Sequence, residues 1–433
     1  MSSVYIKYTN NSFSFSNTTK LLTVLVLLLF FTQFFSYVDW DKATKGLGLN
    51  YLFVSLIFIA AFAKPKARTE YFHILVMLLA FYPIISAFMS LAIYGQPIVE
   101  SFKGLIFNFT WLFYFVLNRY RFRESTVIKA LLVYSLVMLA IMIIQQFTYP
   151  IAFFGIFNDD VMTEKGFLEN VSMRNGIYRF TMHQNGYTVV PVLLFYLACI
   201  KKHFSIYRLV IVSLMISAVY MSLTRQVIAS CLFVVFLSLL INKKSGINVK
   251  YLIVICIIMV AVYGYSELLF GEMAQSTKEN LNKDYIRLYA YSFYWDKICE
   301  NGWTFLFGHG LAKSGEFLRQ FNYWQEVLKL YTCDVGIIGV WFHYGFIYVA
   351  LYLYSLYLIF CYRRQIPIYV ILFTIFAVLM SIMIFPFWIT PKYYFVWTLI
   401  FYICDLHINK SPLCVKMDKD LRINDKLKRI LNG

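Results

Sequence analysis

Long, nearly uninterrupted apolar runs separated by short polar segments dominate this chain from end to end. A bilayer crossing needs about 20 mostly apolar residues. Runs of that order fall at 20–38, 47–63, 71–94, 101–118, 127–147, 185–200, 207–223, 226–242, 249–266, 335–361, 366–386 and 388–407. The pattern predicts an all-α integral membrane protein with about 12 transmembrane helices, one polytopic membrane domain over residues 1–433. The run 335–361 is too long for one straight crossing, and Gly336, Gly339 and Gly345 predict a short half-helix followed by a span. The first run follows a polar stretch and precedes no small-residue cleavage pattern, so it is expected to be an anchor helix and not a removed signal. No internal repeat or low-complexity tract interrupts the series.

Composition agrees with that pattern. Hydrophobic residues make up 61% of the chain and charged residues 14%, against about half and about a quarter in a soluble globule. The net charge of +17 changes the picture only through its placement. With the N-terminus on the inner side, the inner segments are the N-terminal stretch, 64–70, 119–129, 201–208, 243–250, 362–365 and the tail 408–433. They carry 24 Lys/Arg against 5 Asp/Glu. Two large loops on the other side, 148–184 and 267–334, carry 10 basic and 13 acidic residues. Basic loops mark the cytoplasmic side. Both termini are therefore expected in the cytoplasm, 408–433 as a basic tail, and both large loops in the periplasm of a bacterial inner (cytoplasmic) membrane. The basic charge is an orientation signal, so no nucleic-acid partner is expected; membrane lipid is.

Polar residues that could carry chemistry gather at the outer face, in three pieces. The first is the end of the first loop, where Arg179 and Asn185 flank the start of a span. The second is Ser222-Leu-Thr-Arg225-Gln, a hairpin so tight that Arg225 must sit at the membrane surface. The third is the second loop, with Arg287 and Trp295 eight residues apart, then Gly308-His309-Gly310, then Asp334 at the mouth of the next span. Arginines bind phosphate through a planar fork and keep their charge when partly desolvated. Arg225, Arg287 and Arg179 therefore suit an anionic, lipid-linked substrate, and Trp295 suits the apolar face of a sugar. Transfer to a hydroxyl needs a proton acceptor, for which Asp334 is the first candidate and His309 the second. Each has a plainer alternative: Arg225 snorkelling to lipid headgroups, Asp334 capping the next helix, His309 filling a turn, Trp295 joining an aromatic belt. Cys299 and Cys333 share the second loop, where an oxidising compartment permits pairing. No Walker loop, GxSxG or HExxH pattern and no Cys/His cluster is present, so no metal or other cofactor is expected.

In this order, Tyr178-Arg179-Phe-Thr…Asn185-Gly, Leu-Thr-Arg225, Arg287…Trp295…Leu306-Phe-Gly308-His-Gly310 and Asp334-Val-Gly-Ile-Ile-Gly339…Tyr344-Gly345 resemble the O-antigen polymerase and O-antigen ligase superfamily. The resemblance covers about residues 170 to 360, and the predicted span layout extends it over the whole chain. It implies metal-independent, inverting transfer of a glycan from an undecaprenyl-diphosphate carrier on the periplasmic face. Arg225 and Arg287 would hold the diphosphate. A chain-length regulator and a flippase are the implied protein partners. The ligase branch has a catalytic His ahead of the following span, where this chain has Asp334. The departure favours the polymerase branch, making O-antigen, capsular polysaccharide or exopolysaccharide. The alternatives are a ligase to lipid A–core and a flippase for the same lipid-linked sugars.

Overall fold

A computed structural model describes residues 16–32, 44–63, 70–149, 172–174, 177–179, 185–242, 246–247, 285–383 and 391–409. The described chain is mostly helical. Helix α1 (Asn17–Phe31) and α2 (Thr44–Phe62) precede α3 (His73–Phe81), which continues through Tyr82 into α4 (Pro83–Tyr94). Pro83 is tolerated there because it occupies a first-turn position, where its missing N–H costs nothing. Next come α5 (Ile98–Leu105), a seven-residue 3-10 stretch Ile106–Leu112, α6 (Phe113–Arg119) and α7 (Glu124–Thr148). The bundle continues with α8 (Asn185–Lys202), α9 (Ile206–Met221) and α10 (Arg225–Leu240). After α11 (Tyr285–Ile298), α12 (Gly302–Phe307) and α13 (Gly315–Asn322) it closes with α14 (Ile337–Cys361), α15 (Ile368–Met383) and α16 (Pro391–Ile408).

Among the described residues three helices are long and apolar enough to cross a membrane: His73–Tyr94, Glu124–Thr148 and Ile337–Cys361. Six more apolar helices are shorter, among them Asn17–Phe31 and Ile206–Met221. The expected run 101–118 is not one α-helix, because the 3-10 stretch interrupts it. The all-helical expectation also misses two small antiparallel hairpins, Ser172–Arg174 with Ile177–Arg179 and Ile241–Asn242 with Gly246–Ile247. The expected span 249–266, nearly all of the loop 148–184 and of the tail 408–433, and residues 267–284 lie outside the described residues.

Side chains tie the helix ends together. At one end Lys20 donates to the Arg121 carbonyl (3.2 Å), and Tyr71 N–H donates to Asp405 (3.1 Å). There too Tyr369 donates to Glu124 (2.6 Å), and His407 Nε2 lies 2.9 Å from the same carboxylate. Arg119, Lys201 and Arg208 donate to backbone carbonyls at this end. We call it the basic end. At the other end Gln226, in the first turn of α10, donates to the Leu379 carbonyl near the end of α15 (2.9 Å).

The bundle core is aromatic. Phe72 and Phe401 stack at 5.0 Å, and Trp111 stacks on Phe401 at 5.8 Å. A second, smaller core lies outside the bundle, in a cap formed by α11, α12, α13 and the turns up to Asp334. Tyr294, Ile298, Phe317, Leu330 and Val335 meet Phe342 of α14 there. In water such a core is driven by removal of apolar surface, about 1.5–3 kcal/mol for each large side chain.

Candidate functional site

The cap is held to the bundle by a backbone seam. Helix α14 breaks at Gly345, whose φ of 79° and ψ of 174° interrupt the i to i−4 ladder. The break frees the carbonyls of Phe342 and His343. His309 N–H and Gly310 N–H donate to them, both at 2.8 Å. The two chains approach so closely that a Cβ at Gly308 would lie 2.6 Å from the Gly345 nitrogen. Of the three glycines expected to interrupt this run, Gly345 is where the helix breaks, with helical residues on both sides of it, and the glycine doublet of the second loop has a structural use.

His309 is fully buried in this seam. Its Nε2 donates to the Lys297 carbonyl (3.0 Å), so Nδ1 is left to accept from the Tyr94 hydroxyl (2.8 Å). Its ring stacks on Phe342 at 4.5 Å, and its carbonyl accepts from Ser90 (2.8 Å). Burial lowers its pKa from 6.5 to about 4. The expectation of a catalytic base at His309 therefore gives way to a structural one: both ring nitrogens are occupied and no reacting atom can reach them. A folded-state pKa below the unfolded value means that the unfolded chain binds more protons, so His309 destabilises the docked cap as pH falls from about 6.5 towards 4. His309→Ala leaves the Lys297 carbonyl and Tyr94 hydroxyl without these partners. It is expected to lower stability by about 1–3 kcal/mol, read as a fall in Tm in detergent, with substrate turnover per folded molecule retained.

Asp334 and Arg287 lie close enough to feel each other's charge without forming an ion pair. Asp334 closes a 3-10 turn, Thr332–Asp334, packed against α11, which carries Arg287. The cap of α14 is Gly336 with no side-chain hydrogen bond, so Asp334 does not spend its carboxylate there. Among the described residues no donor within hydrogen-bonding distance and no cation within 4.0 Å holds that half-buried carboxylate. Burial raises its pKa above the usual aspartate value, and the Arg287 charge opposes that rise. Arg287 is exposed, and Tyr291, one turn along α11, feels both charges. Trp295 is exposed on the same helix, with its ring edge-on to Trp341 at 5.4 Å.

Asn185 and Arg225 form a second pair, by backbone placement. Each opens its helix, α8 and α10, at the end away from the basic one. The helices meet at Gly186, where a Cβ would lie 3.0 Å from the Val227 side chain. The hairpin between α9 and α10 turns at Leu223, whose φ is 47°. Arg179 ends a strand whose neighbour Tyr178 is gripped by Gln146, donating to its carbonyl (2.6 Å) and accepting from its N–H (2.9 Å). The side chains of Arg179, Asn185 and Arg225 lie outside the described residues. Packing runs from α11 to α14, from α14 to α15 and from α15 to α10, so the two pairs belong to one end of the molecule but to different neighbours. Cys299 and Cys333 are both free thiols.

Sequence reasoning missed Gln96. Buried beyond α4, it donates to Ser101 (2.6 Å) and the Leu311 carbonyl (2.9 Å), and accepts from the N–H of Lys313 (2.7 Å) and Ser314 (3.1 Å). Every bond its amide can make is used to hold the strap 311–314. It also missed Lys313, which lies in a recess against Gly104, open to solvent yet crowded enough for burial to lower its pKa. The local signal for Gln96 is a polar side chain at the margin of an apolar run; Lys313, inside the second loop, has none.

Among the described residues no three His, Cys, Asp or Glu side chains gather closely enough to hold a metal ion. The chain matches no protein-family model, and no curated protein matches it.

Proposed function

We propose that this chain is a bacterial inner-membrane enzyme with about 12 crossings and both termini in the cytoplasm. In this proposal it polymerises undecaprenyl-diphosphate-linked oligosaccharide repeat units on the periplasmic face. The observation that carries the reading is Asp334: a half-buried carboxylate, free of capping duty, within electrostatic reach of the exposed guanidinium of Arg287. The placement of Asn185 and Arg225 at the end opposite the basic one adds support. So does the distribution of loop charge, from which this reading takes the cap as outer.

The chemistry follows from these groups. Asp334 accepts the proton of the acceptor sugar hydroxyl as that oxygen attacks the anomeric carbon. The bond from that carbon to the diphosphate breaks, with inversion, and the polyprenyl diphosphate leaves with the electron pair. Arg287 and Arg225 offer fixed positive charge to the leaving group, which gains charge only as the bond breaks.

Arg225→Ala and Arg287→Ala, each at equal membrane abundance, are expected to abolish long surface chains and leave single repeat units. Lysine at the same sites should restore less than half of the activity if the planar fork matters beyond charge. A flippase would instead leave no surface sugar, and a ligase would leave long chains on the carrier. Unchanged chains with both arginines removed would exclude the diphosphate clamp.

A further inference from the structure

The cap presents two unlike faces. Helix α13 carries the exposed pair Glu316 and Arg319 and faces water. Helix α12, Gly302–Phe307, has no charged residue, and Trp303 and Leu306 on it are 67% and 39% exposed. Spaced three apart, these two side chains share one face of the turn. Inward from them, Phe305 packs on Trp341 at 5.0 Å, Trp341 on Phe346 at 5.2 Å and Trp295 on Trp341 at 5.4 Å. The apolar surface therefore continues without a break from α12 and α11 onto α14. There Phe346, Leu353, Tyr357 and Phe360 form an exposed stripe at helical spacing, along a helix long and apolar enough to cross a membrane.

We infer that α12, with Trp295 of α11, lies in the outer headgroup–acyl boundary of the bilayer and anchors the cap to the lipid surface. The inference rests on the membrane reading above. Three features select lipid over a sugar or a second protein chain. The patch is continuous with the stripe of α14 that faces lipid in that reading. It is uncharged, and it offers an exposed Trp, the side chain whose apolar ring and single N–H suit that boundary. The Trp295 ring, edge-on to Trp341, joins that continuous surface. One consequence concerns the proposed reaction. Anchoring on this face places Arg287 and Asp334 of the same cap near headgroup depth, where the diphosphate of a lipid-linked donor resides.

The test uses the full chain with a genetically encoded dansyl amino acid placed singly at 303, 306, 353 or 319. Each variant is reconstituted into vesicles of phosphatidylethanolamine and phosphatidylglycerol whose acyl chains are brominated close to the headgroup. Positions 303 and 306 are expected to emit to the blue and to lose about half of their intensity to bromine, as a side chain seated at the boundary should. Position 353 should also be quenched and position 319 should not. Quenching at 353 without quenching at 303 and 306 overturns the anchor while leaving the membrane reading intact. Blue emission at 303 and 306 without bromine quenching means that protein covers the patch, and also overturns it. No quenching at 353 removes the membrane reading and the anchor together.

Discussion

Gly345→Ala is expected to undock the cap and to lower stability more than any single change to a charged residue in this protein. With φ of 79° and ψ of 174°, the site belongs to a backbone region that is essentially closed to other residues, at about 1–3 kcal/mol of strain. The added Cβ would also collide with the Leu306 carbonyl and press on the Phe307 backbone at 2.5 Å, neither of which is a flexible side chain that can step aside. Relief requires the seam to open, which gives up the two bonds from His309 and Gly310 to the freed carbonyls. The combined loss is expected to be about 3 kcal/mol or more. Tm in detergent, and the rate of protease cleavage in the cap, would register it. Gly302→Ala is the control: nothing lies within 4 Å of its Cβ, and it sits in a helix, so its effect should be small. Equal melting of the two variants would mean that the seam does not hold the cap.

The second large effect is on turnover. Asp334→Asn removes the proposed proton acceptor while keeping shape and polarity, and is expected to slow polymerisation about 10²- to 10⁴-fold with little change in Tm. The pH dependence supplies a sharper check. A base works when deprotonated, so activity should fall as pH drops through the raised pKa of Asp334. Arg287 holds that pKa down against burial. Removing its charge must therefore raise the pKa further and move the acid limb of the rate profile to higher pH. Whatever activity remains in Arg287→Ala should show that shift, and Arg287→Lys should largely prevent it. An acid limb that stays in place would separate Arg287 from Asp334 and leave the base unassigned.

The line between what was legible and what was not follows the range of the interactions. Runs of apolar residues are local, so the starts of α8 at Asn185 and of α10 at Arg225 were visible to within a residue or two. A break in the run 335–361 was legible from its three glycines, but that it falls at Gly345 was not. The cap was not, because its core joins residues 290 to 335 with Phe342 through contacts that no local pattern encodes. His309 illustrates the cost. From sequence it could be read either as a second candidate base or as a turn residue between two glycines. Only the positions of Tyr94, Lys297 and Phe342, from three separate segments, turn it into a buried tie. Gln96 is the converse case, an unremarked residue that the fold uses to the full.

Apolar run length and loop charge alone determined that this chain forms a helical bundle with one basic end, because both act within a single segment. Tertiary structure decided which polar groups meet. It left the Asp334 carboxylate out of the cap of α14, set Arg287 within reach of its charge, and closed His309 inside a backbone seam. The physical reason is that a side chain's charge state and reach depend on desolvation and on partners distant in sequence, and both exist only once the chain has folded.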